Sequence, residues 1–278
     1  MSPLIPIPPG TLRTSRVLIA LPWYRAAHPL TTVALLTLFN RERMGVVISF
    51  GDAFIAHARN KLATKFLASS FEWLLMLDDD MVPPCGNAEW FNQNTGLDLP
   101  EWAAGLNTVD RLTSHGKTLV GATYFGRSPD RPPVFAEGAQ RREEILRTGP
   151  RDEVVPTKWV GTGCLMIHRT VFEDVERAFP HLSRESNRGT GQWFTSSEHD
   201  LHTAVSTALT QLESADPVVL SDISAGLAAG LRRTSIHSSL GMGEDVQFCV
   251  RATQSGHQPH VDLGLWNGHF GPACFPIR

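Results

Sequence analysis

Three consecutive carboxylates, Asp78-Asp79-Asp80, follow directly on the apolar run Trp73-Leu74-Leu75-Met76-Leu77, and Pro83-Pro84 stop the chain just beyond. A run of that length fits a strand buried in a parallel sheet. Ligands of open α/β sheets sit beyond the carboxyl ends of the strands, so three negative charges arrive together where a ligand is expected. They repel one another unless a positive charge sits among them. A divalent cation carrying a phosphorylated ligand answers that need, because hard oxygen ligands suit Mg²⁺ or Mn²⁺. The alternative is a solvated acidic turn.

Later residues add to this chemistry. In Gly243-Glu244-Asp245 a glycine precedes two acids at a helix start, on the positive end of the helix dipole; they are also ordinary residues for a first turn. Gly268-His269-Phe270 places a histidine after the last strand, either as a ligand or as a surface or core residue. Trp159-Val160-Gly161-Thr162-Gly163 opens a strand over 158–168, and two glycines inside a strand mark close approach of a ligand or another backbone. Arg59 and Asn60 flank a helix, either solvated or directed toward a phosphate.

The elements that must position these residues read in order as follows. Residues 17–22 form a strand ended by Pro22, and Trp23, Tyr24 and Arg25 follow, the aromatic pair either stacking on a base or capping the core. A helix over 31–39 and a strand over 44–50 complete a βαβ start. Asp52 caps the next helix, which runs to about residue 70 with Phe54, Ile55, Ala58, Leu62 and Phe66 as its buried stripe. Residues 85–114 are partly packed, 117–122 form a strand, and 137–155 form a charged loop or surface excursion. Thr170 and Glu173 make a capping box for the helix after the glycine-bearing strand. Residues 181–241 read as a helical insertion with a short strand at Trp193 and Phe194. Arg184, Arg188, Arg232 and Arg233 lie within it.

The 278 residues allow one large α/β domain, and 42% hydrophobic with 19% charged residues is a globular balance. A net charge of -3 excludes a global basic field for nucleic acid. The four cysteines form no CxxC pair and read as reduced thiols, hence a cytoplasmic protein. The first ten residues carry four prolines and do not read as a signal peptide, and no stretch reaches membrane-span length.

The ordered set Leu77-Asp78-Asp79-Asp80, Trp159-Val160-Gly161-Thr162-Gly163, Gly243-Glu244-Asp245 and Gly268-His269-Phe270 resembles the GT-A fold glycosyltransferases. The likeness is to the family-2-like and galactosyltransferase-like branches, phage-encoded members in particular. It runs from about residue 17 to 271, apart from 181–241, where a short connection is expected instead. It implies one Rossmann-like α/β domain over 1–278 with a mostly parallel central sheet. It also implies a soluble, Mn²⁺- or Mg²⁺-dependent enzyme that moves a sugar from a nucleotide-diphosphate sugar to an acceptor hydroxyl with inversion. The resemblance assigns Asp78, Asp80 and His269 to the metal. Pro22, Arg25, Arg59, Asn60, Asp78 and Asp79 fall to the nucleotide, Asp79 chiefly as a structural residue. Gly161 and Gly163 fall to the donor sugar, and Asp245, or else Glu244, is the base. The acceptor is a hydroxymethylated pyrimidine in DNA, a glycan or a protein. Rival readings are a sugar nucleotidyltransferase, disfavoured by the glycine-free Pro22-Trp23-Tyr24-Arg25, and a non-catalytic sugar-nucleotide-binding module.

Overall fold

The computed structural model describes residues 15–24, 26–126, 142–196, 206, 243–271 and 274–275. Arg25, Arg232, Arg233 and, apart from Ser206, residues 197–241 of the expected helical insertion lie outside these residues.

The first half alternates strand and helix: β1 (Val17–Trp23), α1 (Pro29–Leu38), β2 (Met44–Phe50), α2 (Ile55–Leu67), β3 (Trp73–Leu77) and the two-residue β4 (Met81–Val82). Three short helices follow, α3 (Ala88–Thr95), α4 (Glu101–Ala104) and α5 (Thr108–Ser114), then β5 (Leu119–Thr123), α6 (Arg142–Thr148), β6 (Val154–Pro156), β7 (Cys164–His168) and α7 (Arg169–Ala178). After residues 197–242 come α8 (Glu244–Gln254), β8 (His260–Trp266), β9 (Gly268–Phe270) and β10 (Cys274–Phe275).

Seven strands form one sheet in the order β2-β1-β3-β7-β5-β8-β6. Its strands run mostly in one direction; β7 runs against both β3 and β5, and β6 runs against β8. Residues of β1 and β3 are buried on both faces, as a sheet covered on each side requires. Leu18, Ala20, Leu74 and Met76 face a core with Leu62, Phe66 and Phe172. Val17, Ile19, Leu21 and Leu75 face the other core, with Val109 and Leu112. β2 alternates buried or half-buried with exposed positions, in keeping with its place at the sheet edge.

Several local expectations are corrected. Asp52 does not cap α2; its Oδ1 accepts from Phe54 N at 3.3 Å, and its Oδ2 pairs with Lys61 and His57. Phe54 is 76% exposed and Ile55 38%, so the buried stripe begins at Ala58. The glycine-bearing stretch is not strand interior: Gly161, Thr162 and Gly163 lie before β7, the last two in a turn. The cap of α7 is His168, whose Nδ1 accepts from Thr170 N, in place of the Thr170–Glu173 box. The described part of the 137–155 stretch is α6 and the edge strand β6, with Ile145 buried as the anchor that the charge pattern concealed. Trp193 and Phe194 form no strand, but both are fully buried, and Phe194 stacks on Phe248 at 4.4 Å. Arg184 of the expected basic cluster is occupied by Glu176.

His168 also carries a pH prediction. Burial, with His257 and Arg169 nearby, lowers its pKa from 6.5 to about 4. A depressed histidine contributes stability that is fully present above pH 6.5 and is lost as pH falls toward 4, because the unfolded chain takes the proton first. The urea midpoint therefore drops across that window, by the equivalent of about 2–3 kcal/mol. His168→Asn keeps a capping oxygen and flattens the profile; an unchanged slope in the variant contradicts the assignment.

Candidate functional site

The strand reversal at β7 brings two distant segments together. In the β3–β7 register Leu77 lies opposite Cys164, so the residues before β7 arrive beside the residues after β3. Asp78 N donates to Gly163 O at 3.0 Å, joining the acidic turn to the glycine turn. The minor sheet β10-β9-β4 makes the second junction, with Met81 opposite His269 and Phe270 N donating to Asp80 O at 2.9 Å. A two-residue strand after the carboxylates is thus what brings Asp80 and His269 face to face.

His269 Nδ1 lies 2.6 Å from the Phe125 carbonyl oxygen, which only accepts, so Nδ1 carries the ring proton. Nε2 then faces Asp80 Oδ2 at 3.5 Å. An imidazole oriented by a carbonyl behind it and a carboxylate in front is the donor arrangement of many metal sites. Two ligands alone are brought together, however. Among the described residues no group of three His, Cys, Asp or Glu side chains gathers to hold a metal. Asp78, expected as a third ligand, turns elsewhere.

Asp78 belongs to an ion triad. Arg59 Nη2 donates to Asp78 Oδ1 at 2.9 Å and Oδ2 at 3.0 Å, and Arg59 Nη1 pairs with Glu244. Arg59 is 4% exposed, so it is interior and not on the helix flank. Burial works against its charge, but Asp78, Glu244 and Asp245 together hold its pKa above the ordinary value. Asn60 also points inward: its amide accepts from Phe194 N at 2.9 Å and donates to Phe194 O at 3.0 Å. That clamp gives Asn60 a structural use. Pro22 is a buried residue of β1, paired with Ser49 of β2. The Asp79 carbonyl accepts from His28 N at 2.8 Å.

α8 starts as read, with Glu244 and Asp245 in its first turn behind Gly243. Asp245 Oδ1 accepts from Val246 N at 2.7 Å, and a side chain at Gly243 would put its Cβ 2.9 Å from that oxygen. The glycine is therefore what lets the carboxylate fold back over the helix start. Gly163 has a packing reason as well: a Cβ there would meet Met81 at 2.6 Å and Tyr124 at 2.9 Å.

Two contributors escaped the sequence reading. Tyr124, 5% exposed, accepts from Gly163 N at 3.0 Å and packs edge-on against His269, centroids 5.6 Å apart. Burial first, then the charges of Asp78 and Asp245, push its pKa well above 10, so the phenol keeps its proton. His28, which precedes α1, stacks on Phe270 at 4.3 Å. An aromatic pair just after β5, within Thr123-Tyr124-Phe125, was the available signal for Tyr124; nothing in the pattern marked His28.

Fold and site together define a mixed α/β protein whose largely parallel sheet carries a carboxylate–histidine–arginine cluster at the carboxyl end of β3. No protein-family model matches the chain, and no curated protein matches it in sequence. Among solved structures it is similar to A197 from STIV, at TM-score 0.47 and 14% identity over 92% of this chain and 86% of that one.

Proposed function

We propose that the protein is a divalent-cation-dependent glycosyltransferase that moves a sugar from a nucleotide-diphosphate sugar to an acceptor hydroxyl. The observation that carries this reading is the Asp80–His269 pair, with Nε2 aimed at the carboxylate and Nδ1 held by Phe125. These two side chains would hold Mn²⁺ or Mg²⁺, the remaining positions going to diphosphate oxygens and water. A bound cation supplies Lewis-acid stabilisation of the departing diphosphate.

The triad divides the other carboxylates between two tasks. Arg59 compensates Asp78 and Glu244, so their charges are spent on joining β3 to α8. Asp245, whose carboxylate makes no ion pair with Arg59, takes the role of the base that removes the acceptor proton. Tyr124 stays neutral and braces both His269 and the Gly163 turn.

The test is nucleotide-diphosphate affinity with and without Mn²⁺, by calorimetry, across UDP, GDP and dTDP. Wild type is expected to bind one of them at least tenfold more tightly with Mn²⁺. Asp80→Ala and His269→Ala are expected to lose that gain while keeping the cation-free affinity. Equal affinity with and without the cation in wild type overturns the reading.

A further inference from the structure

Apart from the proposed cation site, the carboxyl end of the sheet holds polar groups that the ion triad and the base do not use. Asn267 is fully buried, and among the described residues neither its Nδ2 nor its Oδ1 meets a nitrogen or oxygen partner. Its amide reaches the Cys164 thiol, a weak partner whose pKa burial pushes up to about 12 and the amide draws partly back down. Thr162 is 1% exposed, and its Oγ1 has no partner among the described residues either. Tyr124 Oη accepts from Gly163 N, which leaves the phenolic proton to be placed.

These groups meet at the turn before β7: Tyr124 reaches Gly163 N, the Asn267 amide reaches Cys164, and Thr162 lies in the same turn. β5 and β8 are parallel with Thr123 opposite Trp266, so Tyr124 and Asn267 leave the sheet side by side, and Asn267 N donates to Thr123 O at 2.9 Å. Thr162 precedes Gly163, which touches the Tyr124 ring position. A buried amide with no partner stronger than a thiol is costly, and folded proteins keep such groups where water or a ligand completes them. The donors and acceptors are all neutral and of mixed sense. That excludes a bare anion or a metal ion as the natural occupant and fits a hydroxyl, which both donates and accepts.

We propose that Asn267, Thr162 and Tyr124 form a hydroxyl-binding compartment behind the cation pair, filled by an ordered water or by a hydroxyl of the donor sugar. The second source rests on the glycosyltransferase reading; the first does not. Two near-isosteric variants, Asn267→Leu and Thr162→Val, separate the cases. If the compartment holds water, a high-resolution crystal structure of the ligand-free wild type shows a density peak within hydrogen-bond distance of Asn267 and Thr162, and both variants melt several degrees lower. If it reads the sugar, both variants bind UDP-glucose, GDP-mannose or dTDP-glucose, whichever wild type takes, about tenfold or more weakly, with unchanged affinity for the parent diphosphate. A compartment without density, together with variants that melt no lower and bind sugar nucleotide as wild type does, overturns the proposal. Wild type that binds none of these nucleotides defeats the glycosyltransferase reading and the sugar arm with it, and leaves the water arm to be decided by the density and the melting points.

Discussion

Asp245→Asn lowers sugar transfer by about 10²–10⁴-fold, the usual contribution of a general base, while donor affinity stays within twofold of wild type. The amide oxygen can still accept from Val246 N, the contact that holds the side chain back over Gly243, so the helix start survives the change. What is lost is the capacity to take a proton. Glu244 is the competing base, and the two differ in their company. Glu244 is tied to the buried Arg59, whereas Asp245 acts on Arg59 only through space. Moving a proton onto Glu244 would leave Arg59 with Asp78 alone and weaken the join between α2 and α8. Glu244→Gln is therefore expected to cost stability first and to retain measurable transfer at a temperature where the variant is folded. Steady-state kinetics on both variants decide the matter: loss of transfer in Glu244→Gln with retention in Asp245→Asn reverses the assignment.

The apolar runs that became β1, β2 and β3 were legible because a buried strand leaves a local trace, and β2 begins and ends as read. The start of α8 was legible for the same reason, since glycine followed by acids is a local signal. The errors occurred where partners are remote. Arg59 and Asn60 are polar, and polarity alone places a helical residue outside. Yet Arg59, Leu62, Ala63 and Phe66 are spaced three, four and seven apart, which is one helix face, and all four are buried. Periodicity held the answer for Arg59; its ion partners 19 and 185 residues away did not appear in any window.

The glycine stretch failed for a related reason. Trp159 to Ile167 has the apolar character of a strand, but only β7 finds neighbours in β3 and β5. The pairing of Asp80 with His269 was anticipated only from the order of motifs. Its physical cause, the Met81–His269 bridge of the minor sheet, depends on a strand too short to predict. Tyr124 beside Asn267 is likewise a consequence of sheet register, visible only once β5 and β8 are parallel neighbours.

Arg59→Met is the change with the largest expected effect on stability, about 3–5 kcal/mol, the cost of removing one partner from a buried ion pair. Methionine approximates the aliphatic stem, so packing around Ala58 and Leu62 changes little. The loss falls on Asp78 and Glu244, whose side chains are 24% and 20% exposed and which face each other across the vacated position. Two carboxylates left together in a half-buried space repel, and each retains its desolvation cost. Three measurements follow from this electrostatic cause. The destabilisation should shrink as pH falls and the carboxylates neutralise, narrowing the gap to wild type in urea titrations below pH 5. It should also shrink in the double variant Arg59→Met/Glu244→Gln, which removes one of the opposed charges; a coupling energy of about 1 kcal/mol or more is expected from the cycle. Mn²⁺ should recover part of it as well, because a cation held by His269 and by Asp80, two residues along the turn, offsets the Asp78 charge through space. A loss that is independent of pH, of Glu244 and of Mn²⁺ would mean that Arg59 acts through packing alone, and the division of labour between Asp78 with Glu244 on one side and Asp80 with Asp245 on the other would fail with it.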